Sequence, residues 1–254
     1  MNVRLKQFLL AIYDTVLPRD SQARFRLYHF LLWRIFPDPI DRKLHGYWRI
    51  RKRVKFIQIG ACDGIYADNY RKFIRNPWWE GILIEPLPGV YARLVKNYTK
   101  VRKQGLIFLN CAISTCNGKQ ELYHFSGLDE SHEDYKTLIA LSSFLRDHLV
   151  RLSELAQGRT ISSTAVNCLR FDDLVIQHNY QDVNILFIDT EGYDYEIIKS
   201  VDFDLISPDI IVYESRHLSD ADKAECETLL RNMAYQILVY GDDTLAWKEL
   251  FPKT

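Results

Sequence analysis

The sequence predicts an α/β fold: a mostly parallel sheet with helices on both faces, closed by an antiparallel hairpin and preceded by a helical extension. Three observations predict it. Short apolar runs at 54–60, 81–85, 105–113, 184–189 and 209–214 read as buried strands. Amphipathic stretches at 68–75, 88–98, 193–200 and 220–232 alternate with them as helices. The last segment, YQILVYGDDTLAWKEL (235–250), reads as two strands around Gly241-Asp242-Asp243. The composition agrees: 254 residues, 47% hydrophobic and 26% charged, are enough to bury a core and exclude disorder. Lys+Arg 33 equals Asp+Glu 33, which argues against a nucleic-acid binder.

In chain order, residues 1–53 come first as a basic unit. Twelve Lys/Arg face four Asp there, a surplus of eight positive charges. Helices are expected near 3–16 and 20–36, the second ended by Pro37 and Pro39. Two readings of this unit stand side by side. One is peripheral contact with anionic lipid or an acidic partner. The other is packing on the main domain or in a homo-oligomer, as Trp33, Phe36 and Trp48 suggest. FLLAIY is short and Asp14 lies just beyond it, so neither a signal peptide nor a span of ~18 apolar residues is expected. Cys62, Cys111, Cys116, Cys168 and Cys226 form an odd, scattered set without C-x-x-C, as expected of reduced thiols in a cytoplasmic protein. The main domain runs over 54–254. Within it, 105–113 is expected to turn through Asn117-Gly118 into a strand at 119–125. Residues 126–165 break the rhythm with a helix-like piece at 138–155, and read as a substrate-facing cap.

The chemistry concentrates at strand ends. FIQIGACDG (56–64) closes a strand with a glycine turn, and Glu85 ends the next strand 25 residues after Gly60. A carboxylate there can accept both hydroxyls of a ribose, so the unit suits an adenosyl cofactor. Cys62 replaces the glycine that makes room for a pyrophosphate, and Asp63 adds negative charge. That turn fits a cationic sulfonium better than NAD. At the second constellation, ILFIDTEGYDYEIIKSV (185–201), Asp189 and Glu191 sit at a strand mouth, while Asp194 and Glu196 fall where they would cap a helix. Glu214 ends a further strand and His217 follows it. Asp189, Glu191 and His217 are candidate general bases. Alternatively, Asp189, Glu191 and Glu214 hold Mg²⁺ or Ca²⁺. His124, His132 and His148 are expected on the surface.

Together FIQIGACDG, GILIEPLPGVYARLVKNY, LNCAIS, SSFLRDH, CLRFDDLV, ILFIDTEGYDYEIIKSV and IIVYESRHLS resemble, in order, the FkbM family of S-adenosylmethionine-dependent methyltransferases over about residues 54–240. The resemblance implies a seven-stranded, Rossmann-like class I methyltransferase sheet and O-methylation of a sugar, glycan, lipid-linked glycan or secondary-metabolite hydroxyl. It implies Gly60, Asp63 and Gly64 at the methionine end of S-adenosylmethionine and Glu85 on the ribose. It further implies Asn110, Cys111 and Ala112 near the adenine, and Asp189 and Glu191 beside methyl donor and acceptor. Many relatives carry Asn where Cys62 stands. Two other classes remain open: a nucleotide-dependent oxidoreductase, and a noncatalytic module that binds S-adenosylmethionine or glycan.

Overall fold

A computed structural model describes residues 38–249, apart from 67, 103, 128–134, 154–155 and 157–158. The helices expected at 3–16 and 20–36 lie outside the described residues. The chain divides into two compact units, 1–52 and 53–254. In the first, α1 (Pro39–Arg51) starts on Asp38, whose Oδ1 accepts the N–H groups of Ile40 at 2.7 Å and Asp41 at 3.4 Å. Pro39, expected to end a helix, also begins one, because its missing N–H costs nothing in a first turn. Among the described residues no helix is long and apolar enough to cross a membrane.

The second unit is built on β1 (Val54–Ile59), β2 (Trp79–Ile84), β3 (Leu106–Leu109), β8 (Ile185–Ile188), β9 (Ile210–Glu214), β10 (Gln236–Tyr240) and β11 (Asp243–Trp247). They form one seven-stranded sheet in the order β10-β11-β9-β8-β1-β2-β3. β1, β2, β3, β8 and β9 pair in parallel, and β11 runs antiparallel to both β9 and β10. The expected final hairpin is therefore present, with Gly241 at φ +65° in its turn.

Both sheet faces are covered. On one, Ile57, Ile59, Ile82, Ile84, Leu186 and Ile188 pack with α6 (Phe171–His178), α7 (Asp194–Ser200) and α8 (Asp220–Asn232). On the other, Phe56 and Phe187 meet Trp79 and Tyr70, Phe73 of α2 (Arg71–Ile74) stacks on Trp79, and Tyr98 of α3 (Pro88–Thr99) tilts against Phe108. Each fully buried side chain of this kind contributes about 1.5–3 kcal/mol. Burial on both faces is why these strands read as continuous apolar runs rather than alternating ones.

The middle of the chain departs from expectation. The run 105–113 is two strands, β3 in the main sheet and β4 (Ala112–Ile113) in a second sheet of order β4-β7-β5-β6. No hairpin forms at Asn117-Gly118. Instead β5 (Gly118–Phe125) pairs antiparallel with β7 (Ile161–Leu169), which also pairs in parallel with β4. Asn117 is occupied elsewhere: its Oδ1 accepts Arg170 N–H at 2.8 Å and its Nδ2 donates to Asp173 at 2.7 Å, tying it to the start of α6. A long-range partner thus overrode a local turn signal. The helix-like piece at 138–155 is broken into α4 (Tyr135–Leu138), β6 (Ser142–Ser143) and α5 (Arg146–Arg151), because Ser142 and Ser143 pair with His124 and Tyr123 of β5. α1, α6 and β7 have no counterpart among the expected elements.

Candidate active site

A cleft with about 610 Å³ of empty space opens at the C-terminal ends of β1, β2 and β8, where the strand order departs in both directions from β1. Of the expected residues, Gly60, Glu85, Cys111, Ala112, Asp189 and Glu191 line it. Asp63, Gly64, Asn110, Glu214 and His217 do not line it. Ala140, Ser142, Ser143 and Phe144 close the side formed by the 126–165 segment.

Gly60 sets the floor. It sits at φ +79°, and a Cβ there would lie 1.7 Å from the Asp189 carbonyl oxygen. The tips of β1 and β8 can meet only because residue 60 has no side chain. Gly64, at φ +71°, does the same against α3, where a Cβ would fall 2.6 Å from the Tyr98 ring. Asn97 Nδ2 donates to the Asp63 carbonyl at 2.9 Å, and Arg71 donates to the Gly64 carbonyl, fastening the turn to its helix. The Asp63 side chain caps its own turn, with Oδ1 accepting Ile65 and Tyr66 N–H at 2.8 Å each. Its charge reaches the cleft through space, since it helps raise both Cys62 and Glu85. Cys62 takes φ +46°, a conformation that Asn adopts more readily than most residues. Its thiol is pushed far up by burial and by Glu85 and Asp63. All five cysteines are free thiols.

Glu85 is 4% exposed and faces the cleft. Leu87 N–H donates to its Oε1 at 2.9 Å, and Cys62 N–H donates as well. Burial nevertheless pushes its carboxyl up to about 7. Asn110 Nδ2 donates to the carbonyls of Glu85 and Pro86, both at 2.9 Å, so it braces the Glu85 strand end from behind.

The opposite side gathers carboxylates. Asp189 is raised well above the ordinary range by burial and then by Glu214, Glu191 and Asp194. Burial and Asp194 raise Glu191 to about 8, against a smaller opposing pull from Arg216. Glu214 is raised by burial and by Glu191. Asp194 is not a mere helix cap. It is fully buried, accepts Thr190 Oγ1 at 2.9 Å and Thr190 N–H at 3.3 Å on Oδ2, and accepts Glu214 N–H at 3.2 Å on Oδ1. It locks the loop after β8 to the end of β9. Glu196 pairs with Lys199 at 2.6 Å on the surface.

Two histidines complete the cluster. His217 Nε2 lies 3.5 Å from Glu191 Oε2 and 3.6 Å from Glu214 Oε1. His148, expected on the surface, is 2% exposed, with Nε2 3.1 Å from Glu191 Oε2. Burial lowers both, His217 to about 4 with help from His148 and Arg216. His148 escaped sequence reading because nothing local marks it, although its SSFLRDH motif was visible. Its position is fixed by Ser143, whose Oγ donates to the Glu191 carbonyl at 2.9 Å and accepts Leu145 N–H at 3.1 Å. That bond also holds Glu191 at φ +53°, a strained setting for a residue with a Cβ. His124 is half-buried beside Thr164, and His132 lies outside the described residues. Two triads have donor atoms mutually within 4.8 Å: Asp189, Glu191 and Glu214, and His148, Glu191 and His217.

Residues 58–237 match the family model described as the methyltransferase FkbM domain. A search of curated proteins gives no significant match. Among solved structures, a Staphylococcus aureus protein described as a caffeoyl-CoA O-methyltransferase aligns at 9% identity and TM-score 0.50, covering 97% of this chain and 100% of its own. The FkbM methyltransferase of Methylobacillus flagellatus aligns at 12% identity and TM-score 0.48, over 96% of this chain and 59% of its own. A methyltransferase from Geobacter sulfurreducens gives 11% identity and 0.46, over 98% and 97%. At such identities the structural likeness speaks to the fold alone.

Proposed function

Because the chain belongs to the FkbM family of S-adenosylmethionine-dependent methyltransferases, we propose that it methylates a hydroxyl oxygen on a sugar, glycan, lipid-linked glycan or secondary metabolite. The observation that carries the oxygen acceptor is the pair Asp189 and Glu191 at one wall of the cleft. A hydroxyl needs an acceptor for its proton and hydrogen-bonding partners to orient it, and carboxylates supply both.

The residues present fit S-adenosylmethionine. Glu85, Asp189 and Glu191 face one cleft and are all raised by burial, so a cationic ligand relieves the charge they would carry. When bound, the cofactor supplies a methyl group on a sulfonium, a leaving group that needs no acid. The rest falls to the protein. Glu85 would receive the ribose hydroxyls, the bare Gly60 backbone would let the ligand approach, and Cys111 and Ala112 would flank the base. Asp189, Glu191 or His217 would take the proton of the acceptor hydroxyl to which the cofactor would supply its methyl group. Ser143 and Phe144 of the 126–165 segment line the cleft with Glu191, which supports the reading of that segment as a cap over the acceptor. Alignment of oxygen with the methyl–sulfur axis is a large contribution that such a site can make.

The test is transfer of label from methyl-labelled S-adenosylmethionine to a panel of sugars, glycans and phenolic or aliphatic alcohols. Label recovered as a methyl ether supports the reading. Label found only on carbon or nitrogen, or on no acceptor while the cofactor still binds, contradicts it. The charge of residues 1–53 favours acceptors at an anionic membrane surface, which vesicle sedimentation at low and high salt would test.

A further inference from the structure

We propose that His148 Nε2, His217 Nε2 and Glu191, with Glu214 as a fourth donor, form a binding site for a divalent first-row transition metal of the zinc type. The geometry carries this. The two imidazole nitrogens approach the same oxygen, Glu191 Oε2, at 3.1 and 3.5 Å, and Glu214 Oε1 lies 3.6 Å from His217 Nε2. Ligands held 2.0–2.1 Å from one ion in a tetrahedron are separated by about 3.3 Å. The two spacings within the His148–Glu191–His217 triad bracket that edge, and Glu214 approaches it from the His217 side.

Glu191 Oε2 can accept from both imidazoles, and the same convergence puts both ring nitrogens and that oxygen within 4.8 Å of one another, as the ligands of one ion would be. The rings meet edge to face, with centroids 4.4 Å apart and planes at 68°, so they converge without stacking. Glu214 Oε2 is buried and has no hydrogen-bond partner. The four residues come from three separate segments: α5, the loop after β8, and the end of β9 with the turn beyond it.

The donor set also selects the metal. Asp189, Glu191 and Glu214 alone are all-oxygen ligands and suit Mg²⁺ or Ca²⁺. Two imidazoles with carboxylates suit zinc, manganese, iron, cobalt or nickel. Binding does not depend on the methyl-transfer reading, but the use of the ion does: on that reading an ion on Glu191, which lines the cleft, would bind the acceptor oxygen and make its proton more acidic. Glu191 and His217 then serve as ligands, and Asp189 remains to take the proton.

The full chain, stripped with EDTA, is titrated with Co²⁺ and followed by visible d–d absorption. The expected result is one Co²⁺ per chain in a tetrahedral-type spectrum, displaced by Zn²⁺ and not by millimolar Mg²⁺. His148→Gln and His217→Gln should each weaken Co²⁺ at least about tenfold, and His217→Gln suffices if the other variant fails to fold by circular dichroism. No spectrum, spectra unchanged in a folded variant, or displacement by Mg²⁺ would overturn the proposal. Calorimetric titration with S-adenosylmethionine on the same samples separates the two ideas. Cofactor binding without cobalt binding removes only the metal, and cobalt binding without cofactor binding removes only the methyltransferase reading.

Discussion

The two walls of the cleft are built differently. The wall carrying Glu85 comes from one continuous strand–turn–helix–strand run, and backbone groups of its own neighbourhood hold its two carboxylates: Leu87 N–H on Glu85 and Ile65 and Tyr66 N–H on Asp63. The wall carrying Asp189 and Glu191 is assembled from segments far apart in sequence, and side chains hold it: Ser143 on Glu191, Asp194 on Thr190 and Glu214, His148 on Glu191. A locally built wall can bind a common cofactor while the other wall diverges, and the two are joined by the β1–β8 pairing and, at its tip, by the contact of Gly60 with Asp189.

Breaking that joint should have the largest effect. Gly60→Ala puts a methyl group into the Asp189 carbonyl, so a loss of at least about 3 kcal/mol is expected in urea unfolding. An unshifted midpoint would mean that the two strand tips are not in contact. Next, Asp189→Asn separates the walls functionally: cofactor affinity should persist while turnover falls about 10²–10⁴-fold. Normal turnover would remove Asp189 from the chemistry.

A pH titration of stability isolates the cofactor wall. Burial raises Glu85 from 4.5 to about 7, so the folded apoprotein holds this proton more tightly than the unfolded chain does. Stability from this group is full below about pH 4.5 and declines by about 3 kcal/mol as pH rises to about 7 and beyond. Glu85→Gln should flatten that decline, and identical slopes in wild type and variant would contradict the burial assigned to Glu85. The smallest change expected is Ser143→Ala, which loses one hydrogen bond to the strained Glu191. About 1–2 kcal/mol of stability and a raised acceptor KM are predicted, with cofactor affinity unchanged.

The same contrast explains what the sequence disclosed. Val54–Ile59, Trp79–Ile84, Ile185–Ile188 and Ile210–Glu214 were legible because burial on both faces leaves a local signature, and Gly60 and Glu85 were legible because a turn and an acid follow these strands at a short interval. The second sheet was not. Its strand Gly118–Phe125 bonds to Ile161–Leu169, some forty residues on, while Asn117-Gly118 offered a closer and wrong alternative. His148 was hidden for the same reason, since only the pairing of Ser142 and Ser143 with β5 and the Ser143 bond to Glu191 carry it inward. Asp194 looked like a cap because the dipole argument is local, whereas its bond to Glu214 spans twenty residues.

Calorimetric titration of S-adenosylmethionine into the wild-type chain and into Glu85→Ala tests the central claim most directly. Binding to the wild type that weakens at least about tenfold in a folded Glu85→Ala protein is the predicted result. Equal affinity in the two proteins, or no heat with the wild type, would contradict it.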